Sequence, residues 1–346
     1  MVPLLLLGAT ACSDPDDSPP PSPDDPLRAE VTRRLDEAAA NGFSGAVLVA
    51  VDGERLVYAG YGLADRDGGV ANTAETAFDF GSVMKDLTAA AIFQLEAEGK
   101  LAVEDTLDTV FDDVPADKTG ITLLQILQHR AGFDEYHDYG TDFDAMTQIE
   151  ARARILEQEL LFEPGADEAY SNAGFTLLAD VVQTVSGEAF TDFVRTSLLV
   201  PAGMTHSGFY GDPVWSSVDT AIGYGDVTFQ DNDPASWPYT WALMGNGGLV
   251  TTVADMEAWM LSVAQGKVLA PSALEAYRAQ YLSLGSVEFE GNTVYAYAGG
   301  GDYGHGGVAA DTPALGTRVI IGSNANTSFD VEGFFEELTL FVLGEN

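Results

Sequence analysis

Segments that read as β-strands lie near both ends of the chain, and this placement constrains the fold more than any other feature. Two β-rich runs at 45–51 and 55–61 flank an Asp-Gly turn, which predicts an antiparallel hairpin. Strand-like runs return near the C-terminus, and helical periodicity marks a segment outside each strand group. The C-terminal strand runs are 293–298, 307–309 and 317–322, and the outer helices are predicted at 28–41 and 331–343.

The segment between the two strand groups reads mainly as helices and loops. If strands from both chain ends share one sheet, this middle segment must form an insertion. We therefore predict an α+β fold, an α/β sandwich in which one antiparallel sheet is flanked by helices and carries a mainly helical lobe. The predicted domain is 28–346, with a sheet lobe at about 28–105 and 245–346 and a helical lobe at about 106–244.

The first 27 residues differ in composition from the rest of the chain. Residues 1–12 form a short apolar run that ends in Ala9-Thr10-Ala11-Cys12, which predicts a signal peptide with a lipobox-like lipidation site at Cys12. The alternative is a plain secretory signal with an incidental cysteine, because no basic residue precedes the apolar run. Residues 13–27 are rich in Pro and Asp, which predicts a disordered tether. Cys12 is the only cysteine, so an intramolecular disulfide is excluded.

A candidate nucleophile and base lie at the start of an apolar helical stretch. Ser82-Val83-Met84-Lys85 is followed by residues 87–95, which are rich in helix formers and almost free of charge. Positions i and i+3 share a helix face, so the Lys85 amine can approach the Ser82 hydroxyl. Burial in an apolar run favours the neutral amine, which can act as a base toward the serine. The alternative is a helix N-cap serine followed by a solvated lysine.

Two later motifs favour the catalytic interpretation. Tyr170-Ser171-Asn172 and Gly304-His305-Gly306-Gly307 follow the Ser82 motif in that order. Together the three motifs resemble those of the serine beta-lactamase and penicillin-binding-protein superfamily, most closely its class C-like branch of esterases, D-aminopeptidases and D-Ala-D-Ala carboxypeptidases. The resemblance runs from about residue 28 to the C-terminus and includes the segments 121–132, 162–165, 201–204 and 247–255. It implies a beta-lactamase/transpeptidase-like fold with the active site between the lobes.

The resemblance also implies a role for each motif residue. Ser82 would form an acyl-enzyme, while Lys85 and Tyr170 would take and return its proton, with the choice of general base left open. The residues implied to bind the substrate or to form an oxyanion hole with the Ser82 N–H are Asn172, His305, Gly306, Gly307 and, through its backbone N–H, Val308. The structural alternatives are a core aromatic at Tyr170, a turn residue at Asn172 and a loop cap at His305.

No motif in the chain indicates a cofactor. The acid-rich stretch 134–144 contains His137 and follows His129 closely, so it could in principle hold a metal ion. The two histidines lack the i,i+4 spacing of a helical zinc site, and no His-Glu-x-x-His occurs. We therefore expect no metal and interpret the stretch as a solvated loop near the cleft.

The charge of the chain restricts its partners. There are 54 acidic and 15 basic residues, which give a formal net charge of −39. Nucleic acid is excluded as a partner, because phosphate contacts need Lys and Arg. Anionic lipid is disfavoured for the same reason, so we expect membrane contact only through a lipid anchor at Cys12. These features predict an exported protein of the bacterial cell envelope, with a small ester or peptide as its partner.

Three functions stay open at this stage. The first is a serine hydrolase of small neutral or cationic esters or amides, and the second is a D-Ala-D-Ala carboxypeptidase or β-lactamase. The third is a non-catalytic binding protein with the same fold, which three intact motifs argue against. We expect the first, because His305-Gly306-Gly307 stands where Lys-Thr-Gly would bind a substrate carboxylate. The acidic surface should also repel anionic substrates.

Overall fold

The structure is a computed structural model that describes residues 25–135, 142–301 and 303–344. The predicted signal peptide, Cys12 and most of the predicted tether lie outside the described residues. Helix α1 begins at Pro26, two residues before the predicted domain boundary, and Asp25 caps it by accepting from the N–H groups of Leu27 and Arg28. Proline suits this first turn, because an N–H group at that position has no hydrogen-bond partner within the helix, so the lack of one costs nothing.

The elements alternate as the sequence patterns predict, with strands near both chain ends. The helices are α1 (Pro26–Ala40), α2 (Met84–Ala97), α3 (Leu107–Val110), α4 (Leu123–Leu127), α5 (Gln148–Leu156), α6 (Asn172–Ser186), α7 (Phe190–Val194), α8 (Val200–Ala202), α9 (Val253–Ala264), α10 (Pro271–Gln280) and α11 (Val331–Gly344). The strands are β1 (Gly45–Val51), β2 (Glu54–Tyr61), β3 (Leu63–Asp65), β4 (Val70–Ala71), β5 (Phe78–Asp79), β6 (Gly208–Phe209), β7 (Leu249–Thr251), β8 (Ser286–Phe289), β9 (Asn292–Gly300), β10 (Gly306–Thr312) and β11 (Thr317–Ser323).

The central sheet joins both ends of the chain. Its strand order is β2-β1-β11-β10-β9-β8, and every neighbouring pair is antiparallel. The predicted hairpin is confirmed, since β1 pairs with β2 around the Asp-Gly turn. β1 also pairs with β11, which brings the N-terminal and C-terminal strands together. The predicted α+β class with one antiparallel sheet is therefore confirmed.

Alternating residues of the sheet face two layers of helices. Val47 and Val49 on β1 pack toward α1 and α11, whereas Ala46 and Leu48 pack toward the layer that contains α2. This division follows from the two-residue period of a strand, which sends successive side chains to opposite faces. Strand β1 is thus buried on both faces, and this is why the run 45–51 is apolar throughout instead of alternating with polar residues.

The inserted segment is mainly helical, as predicted, but it shares a core with the sheet lobe. Leu48 of β1, Ile92 of α2 and Leu178 of α6 belong to one apolar cluster. A small sheet of order β5-β7-β6 also joins the two parts of the chain. Two of its strands are only two residues long, too short for an alternation of polar and apolar residues to reveal them. Within the described ranges, no helix is both long and apolar enough to span a bilayer.

Candidate active site

Ser82 lies in a single 3₁₀ turn, Gly81–Val83, that leads into α2. Gly81 has a φ of 48°, and a Cβ at that position would come within 2.9 Å of the Gly300 nitrogen. Glycine is therefore needed at this position for both its backbone conformation and its close approach to β9. The turn presents Ser82 at the N-terminal end of α2, where backbone N–H groups have no partner within the helix.

The Lys85 amine is buried and lies among three oxygen atoms. Its Nζ lies 3.0 Å from Ser82 Oγ and 2.7 Å from the carbonyl oxygen of Asn246, and it also donates to Asn172 Oδ1. Burial lowers the Lys85 pKa to about 7, although the carboxylate of Glu135 acts in the opposite direction. A large fraction of this amine is therefore neutral at pH 7 and able to accept a proton.

Tyr170 contacts the same serine from the other side. Its hydroxyl lies 2.7 Å from Ser82 Oγ, and its ring stands with its centroid 4.7 Å from Lys85 Nζ. The ring is half exposed, but burial of the hydroxyl end raises the Tyr170 pKa to about 12, against the opposing effect of the Ser82 hydrogen bond. The phenol therefore stays protonated at neutral pH. Between the two groups left open by the sequence, this difference in pKa favours Lys85 as the base and Tyr170 as a proton donor.

Two side chains that the sequence did not assign hold these groups in place. The Glu135 carboxylate accepts from both the backbone N–H and the side-chain Nδ2 of Asn172, at 3.0 and 2.8 Å. The amide oxygen of Asn172 is thereby turned toward Lys85. His129 accepts from the Ser171 N–H at 3.1 Å, and its ring centroid lies 4.7 Å from that of Tyr170. Burial lowers the His129 pKa to about 4, so this ring is neutral.

The structure does not bring the third predicted motif, or Val308 after it, to Ser82. His305, Gly306, Gly307 and Val308 lie at and in β10, which is hydrogen-bonded to β9 on one side and β11 on the other. His305 is buried, with its Nε2 at 3.2 Å from the Asn232 carbonyl oxygen. The Val308 N–H cannot contribute to the oxyanion hole, because the N–H groups of an interior strand form hydrogen bonds to the two neighbouring strands. The prediction that these four residues form the substrate side of the site is therefore wrong.

Strand β9 occupies the place that the sequence assigned to β10. A Cβ on Gly299 would come within 2.5 Å of the Ser82 nitrogen and 2.1 Å of the Phe80 carbonyl oxygen. The last described pair between β8 and β9 is Ser286 with Tyr295, so the following part of β9 faces Ser82 rather than another strand. Tyr297-Ala298-Gly299 is thus the structural counterpart of the third motif, and its glycine permits the contact with the serine turn.

The backbone N–H of Gly300 points toward the serine. Gly301 donates to the His305 carbonyl oxygen at 3.1 Å, and Gly300 lies opposite Gly306. Hydrogen bonding alternates along an antiparallel pair, so the amide of Gly300 faces away from β10, toward the open edge. A Cβ on Gly81 would lie 2.9 Å from this nitrogen, which puts the amide beside the serine turn. The Ser82 and Gly300 N–H groups are therefore our candidates for the oxyanion hole.

Gly299→Ala tests this reassignment. The added methyl group cannot fit between β9 and the serine turn, because both near atoms are backbone. We expect kcat/KM for an ester substrate to fall at least about 100-fold, the size of loss that follows removal of one oxyanion donor. Val308→Ala is the matched control on β10, and it should change activity far less. A larger loss for Val308→Ala than for Gly299→Ala would contradict the reassignment.

Two cavities meet at Ser82. The first, which we call the Tyr170 cavity, has a volume of about 270 Å³ and is lined by Tyr170, Glu168, Tyr297 and Ala298 among others. The second, the Phe143 cavity, has a volume of about 190 Å³ and is lined by Asn172, Gly300 and the residues Asp79, Asp142, Phe143, Tyr210 and Tyr303. A substrate carbonyl at Ser82 can therefore extend a group to each side.

The acid-rich stretch lies beside this site but is only partly described. Glu135 holds Asn172, whereas residues 136–141, including His137, lie outside the described residues. Among the residues that the structure describes, no group of three or more His, Cys, Asp or Glu side chains is placed to hold a metal ion.

Comparison with known proteins agrees with the fold and the motifs. A model of the beta-lactamase family matches residues 27–334, and the chain belongs to this family. It is 32% identical over 234 residues to penicillin-binding protein PbpX of Bacillus subtilis (strain 168), covering 68% of this chain and 58% of that protein. It is 28% identical over 228 residues to a D-aminopeptidase of Brucella anthropi, covering 63% of this chain and 42% of that protein. The chain thus spans about half the length of these curated relatives.

A solved structure supports the same architecture. FmtA from Staphylococcus aureus superposes with a TM-score of 0.77 at 22% sequence identity, and the match covers 94% of this chain and 91% of that one. This likeness shows the fold, an antiparallel sheet between two layers of helices with an inserted helical segment.

Proposed function

We propose that this chain is a serine hydrolase that forms an acyl-enzyme at Ser82. The observation that carries the proposal is the pair of contacts to one hydroxyl, at 3.0 Å from Lys85 Nζ and 2.7 Å from the Tyr170 hydroxyl. A nucleophile within reach of a base with a lowered pKa and of a separate proton donor is the arrangement that acyl transfer requires. Membership of the beta-lactamase family and the name of the D-aminopeptidase relative support hydrolysis.

The geometry suggests how the residues share the reaction. Lys85 takes the Ser82 proton as Oγ attacks the substrate carbonyl carbon, and the carbonyl oxygen becomes an oxyanion held by the N–H groups of Ser82 and Gly300. The bond to the leaving group then breaks, and Tyr170 donates its proton to that group while Lys85 returns a proton to Tyr170. Water attacks the acyl-enzyme in the second half and restores the Ser82 hydroxyl by the same proton transfers in reverse.

The substrates that fit best are small neutral or cationic esters or amides. Tyr297-Ala298-Gly299 contains no lysine, and Ala298 stands where Lys-Thr-Gly has its threonine hydroxyl, so β9 offers a substrate carboxylate less than Lys-Thr-Gly would. Arg318 cannot compensate, since its Nε lies 3.3 Å from Glu257 and its Nη1 3.7 Å from Asp311. Among the described residues that line the two cavities, Lys85 is the only Lys or Arg. Its amine already contacts three oxygen atoms of the protein.

D-Ala-D-Ala carboxypeptidase or β-lactamase activity is the second candidate. The name of the relative PbpX favours it. The deciding comparison is kcat/KM for a p-nitrophenyl ester, a cephalosporin and a D-Ala-D-Ala peptide at fixed salt. We expect the neutral ester to be hydrolysed fastest, because the acidic protein repels both carboxylate substrates. Faster turnover of the cephalosporin or the peptide would support the second candidate instead.

We also propose that the protein is exported and anchored in the bacterial cell envelope. The supporting features are the apolar residues 1–11, the lone Cys12 and the Pro- and Asp-rich tether. The expected mature N-terminus is a lipid-modified Cys12. Mass spectrometry of the protein purified from membranes of its host would detect this modification. An unmodified N-terminus downstream of Cys12 would contradict the anchor and leave the proposal of hydrolysis untouched.

A further inference from the structure

A line of hydrogen-bonded side chains leads from the Glu135 carboxylate to Ser82. Glu135 Oε2 accepts from the backbone N–H of Asn172 at 3.0 Å and from its side-chain Nδ2 at 2.8 Å. The other end of the same amide, Asn172 Oδ1, accepts from Lys85 Nζ, which lies 3.0 Å from Ser82 Oγ. One planar amide group therefore separates the carboxylate from the catalytic amine.

The contacts with Glu135 determine which end of the Asn172 amide faces Lys85. An Asn side chain has an oxygen at one end and an NH₂ group at the other. An ionised carboxylate accepts hydrogen bonds and cannot donate them, so it binds the NH₂ end and leaves the oxygen for the Lys85 amine. Asn172 is also the first residue of α6, where backbone N–H groups have no partner within the helix. The N-terminal end of a helix is a favourable place for a negative charge.

Among the residues that the structure describes, Glu135 is the one charged side chain that acts on the Lys85 amine. Burial lowers the Lys85 pKa, and the Glu135 carboxylate opposes this effect because it favours the protonated amine. The other titratable groups beside the amine are neutral at pH 7. Burial lowers the His129 pKa to about 4 and raises the Tyr170 pKa to about 12.

Asp86 follows Lys85 on α2, but its carboxylate points to other helices. It accepts from Trp259 Nε1 on α9 at 2.6 Å and from the Tyr277 hydroxyl on α10. Burial raises the Asp86 pKa to about 6, so this group titrates in the range of interest. Its titration is common to the wild type and to every variant considered below, so it does not produce a difference between them.

We propose that Glu135 is a positioning residue that orients Asn172 toward Lys85 and whose negative charge sets the lowest pH at which the amine accepts the Ser82 proton. The inference rests on the proposed serine hydrolase function and adds the residue that fixes its working pH. Without this charge, Lys85 should lose its proton at a lower pH. Activity should then extend to more acidic conditions.

Glu135→Gln tests the charge separately from the position. The Gln side chain has the same length, and its amide oxygen can accept from both donors of Asn172. We expect the acid limb of kcat/KM for a p-nitrophenyl ester to move to lower pH by at least about 0.5 unit, the effect of one nearby charge at a partly buried site. At pH 6 the ratio of kcat/KM to its value at pH 8.5 should therefore rise about twofold or more over that of the wild type.

Glu135→Ala tests the position. This variant removes the charge together with both contacts to Asn172. The acid limb should move as it does in Glu135→Gln. In addition, kcat/KM at pH 8.5 should fall at least about 10-fold below that of Glu135→Gln, because the Asn172 amide is no longer held with its oxygen toward Lys85.

Glu163→Gln is the matched control, because it removes the same charge from an exposed side chain that is absent from the lining of both cavities. Its acid limb should move by less than about 0.2 unit, since solvent screens exposed charges. Thermal unfolding midpoints show that each variant is folded.

An unmoved acid limb in folded Glu135→Gln, or an equal shift in Glu163→Gln, would overturn the role of the charge. Equal values of kcat/KM at pH 8.5 for the Gln and Ala variants of Glu135 would overturn the role in orienting Asn172. In both cases the wild type is active, so the hydrolase stands. A wild-type protein that neither hydrolyses the ester nor reacts with a fluorophosphonate at Ser82 counts against the hydrolase itself.

Discussion

Ser82→Ala is expected to lower the hydrolysis of a chromogenic short-chain ester at least about 10⁴-fold, the scale seen when a catalytic nucleophile is removed. The physical reason is that, among the residues that the structure describes, Ser82 has the only hydroxyl within hydrogen-bond distance of both the Lys85 amine and the Tyr170 phenol. The measurement is the initial rate of p-nitrophenol release at pH 7 to 8 by purified wild-type and variant proteins.

The fold of this variant should be intact. Ser82 contributes its backbone to the 3₁₀ turn before α2, and alanine can adopt the same conformation. The lost hydrogen bonds leave Lys85 with its contacts to Asn172 and Asn246. Circular dichroism and the thermal unfolding midpoint should therefore stay close to those of the wild type. Activity above a few per cent in the folded variant would exclude Ser82 as the nucleophile.

Lys85→Ala and Tyr170→Phe should each lower kcat/KM by about 10³-fold or more, and their losses should not add in the double variant. The proton that Lys85 takes from Ser82 replaces the one that Tyr170 gives to the leaving group, so removal of either side chain interrupts the same proton relay. A double-mutant cycle measures this coupling directly. Additive losses would show that the two side chains do not belong to one proton relay.

The pH dependence of the wild type tests the assignment of the base. The neutral Lys85 amine is the reactive form, and its pKa is lowered to about 7, so kcat/KM should rise with pH and level off above about 7. The Tyr170 pKa of about 12 leaves the phenol protonated over the same range. A fall in kcat/KM as the pH rises through about 7 would instead show that the protonated amine is the reactive form. An apparent pKa above 9 on the acid side would show that the lysine is solvated.

The fold could be predicted from the sequence because its strongest signals are local. The Asp-Gly turn between 45–51 and 55–61 determines a hairpin, and the C-terminal runs match strands β9, β10 and β11 within a few residues. The two-residue strands β5 and β6 were not predicted, since their pairing depends on tertiary contacts. The shared core of the two lobes was also missed, because a pattern of apolar residues does not reveal which helix they meet.

The catalytic side of the site was predictable, and its substrate side was not. Ser82 and Lys85 are one helical turn apart, so their proximity follows from helix geometry. The third motif required a choice between two glycine-rich segments, 299–301 and 304–307, that lie on adjacent strands. Only the order of strands shows that β9 stands between β10 and the serine. The clamp of Glu135 on Asn172 joins residues 37 positions apart and leaves no local pattern.

Reaction with a fluorophosphonate, followed by mass spectrometry of the digested protein, tests the central claim most directly. We expect one covalent adduct per chain, on the peptide that contains Ser82, and we expect it to form much more slowly in Lys85→Ala than in the wild type. An unlabelled wild-type protein that is folded, or an adduct on a different serine, would contradict the assignment of Ser82 as an activated nucleophile.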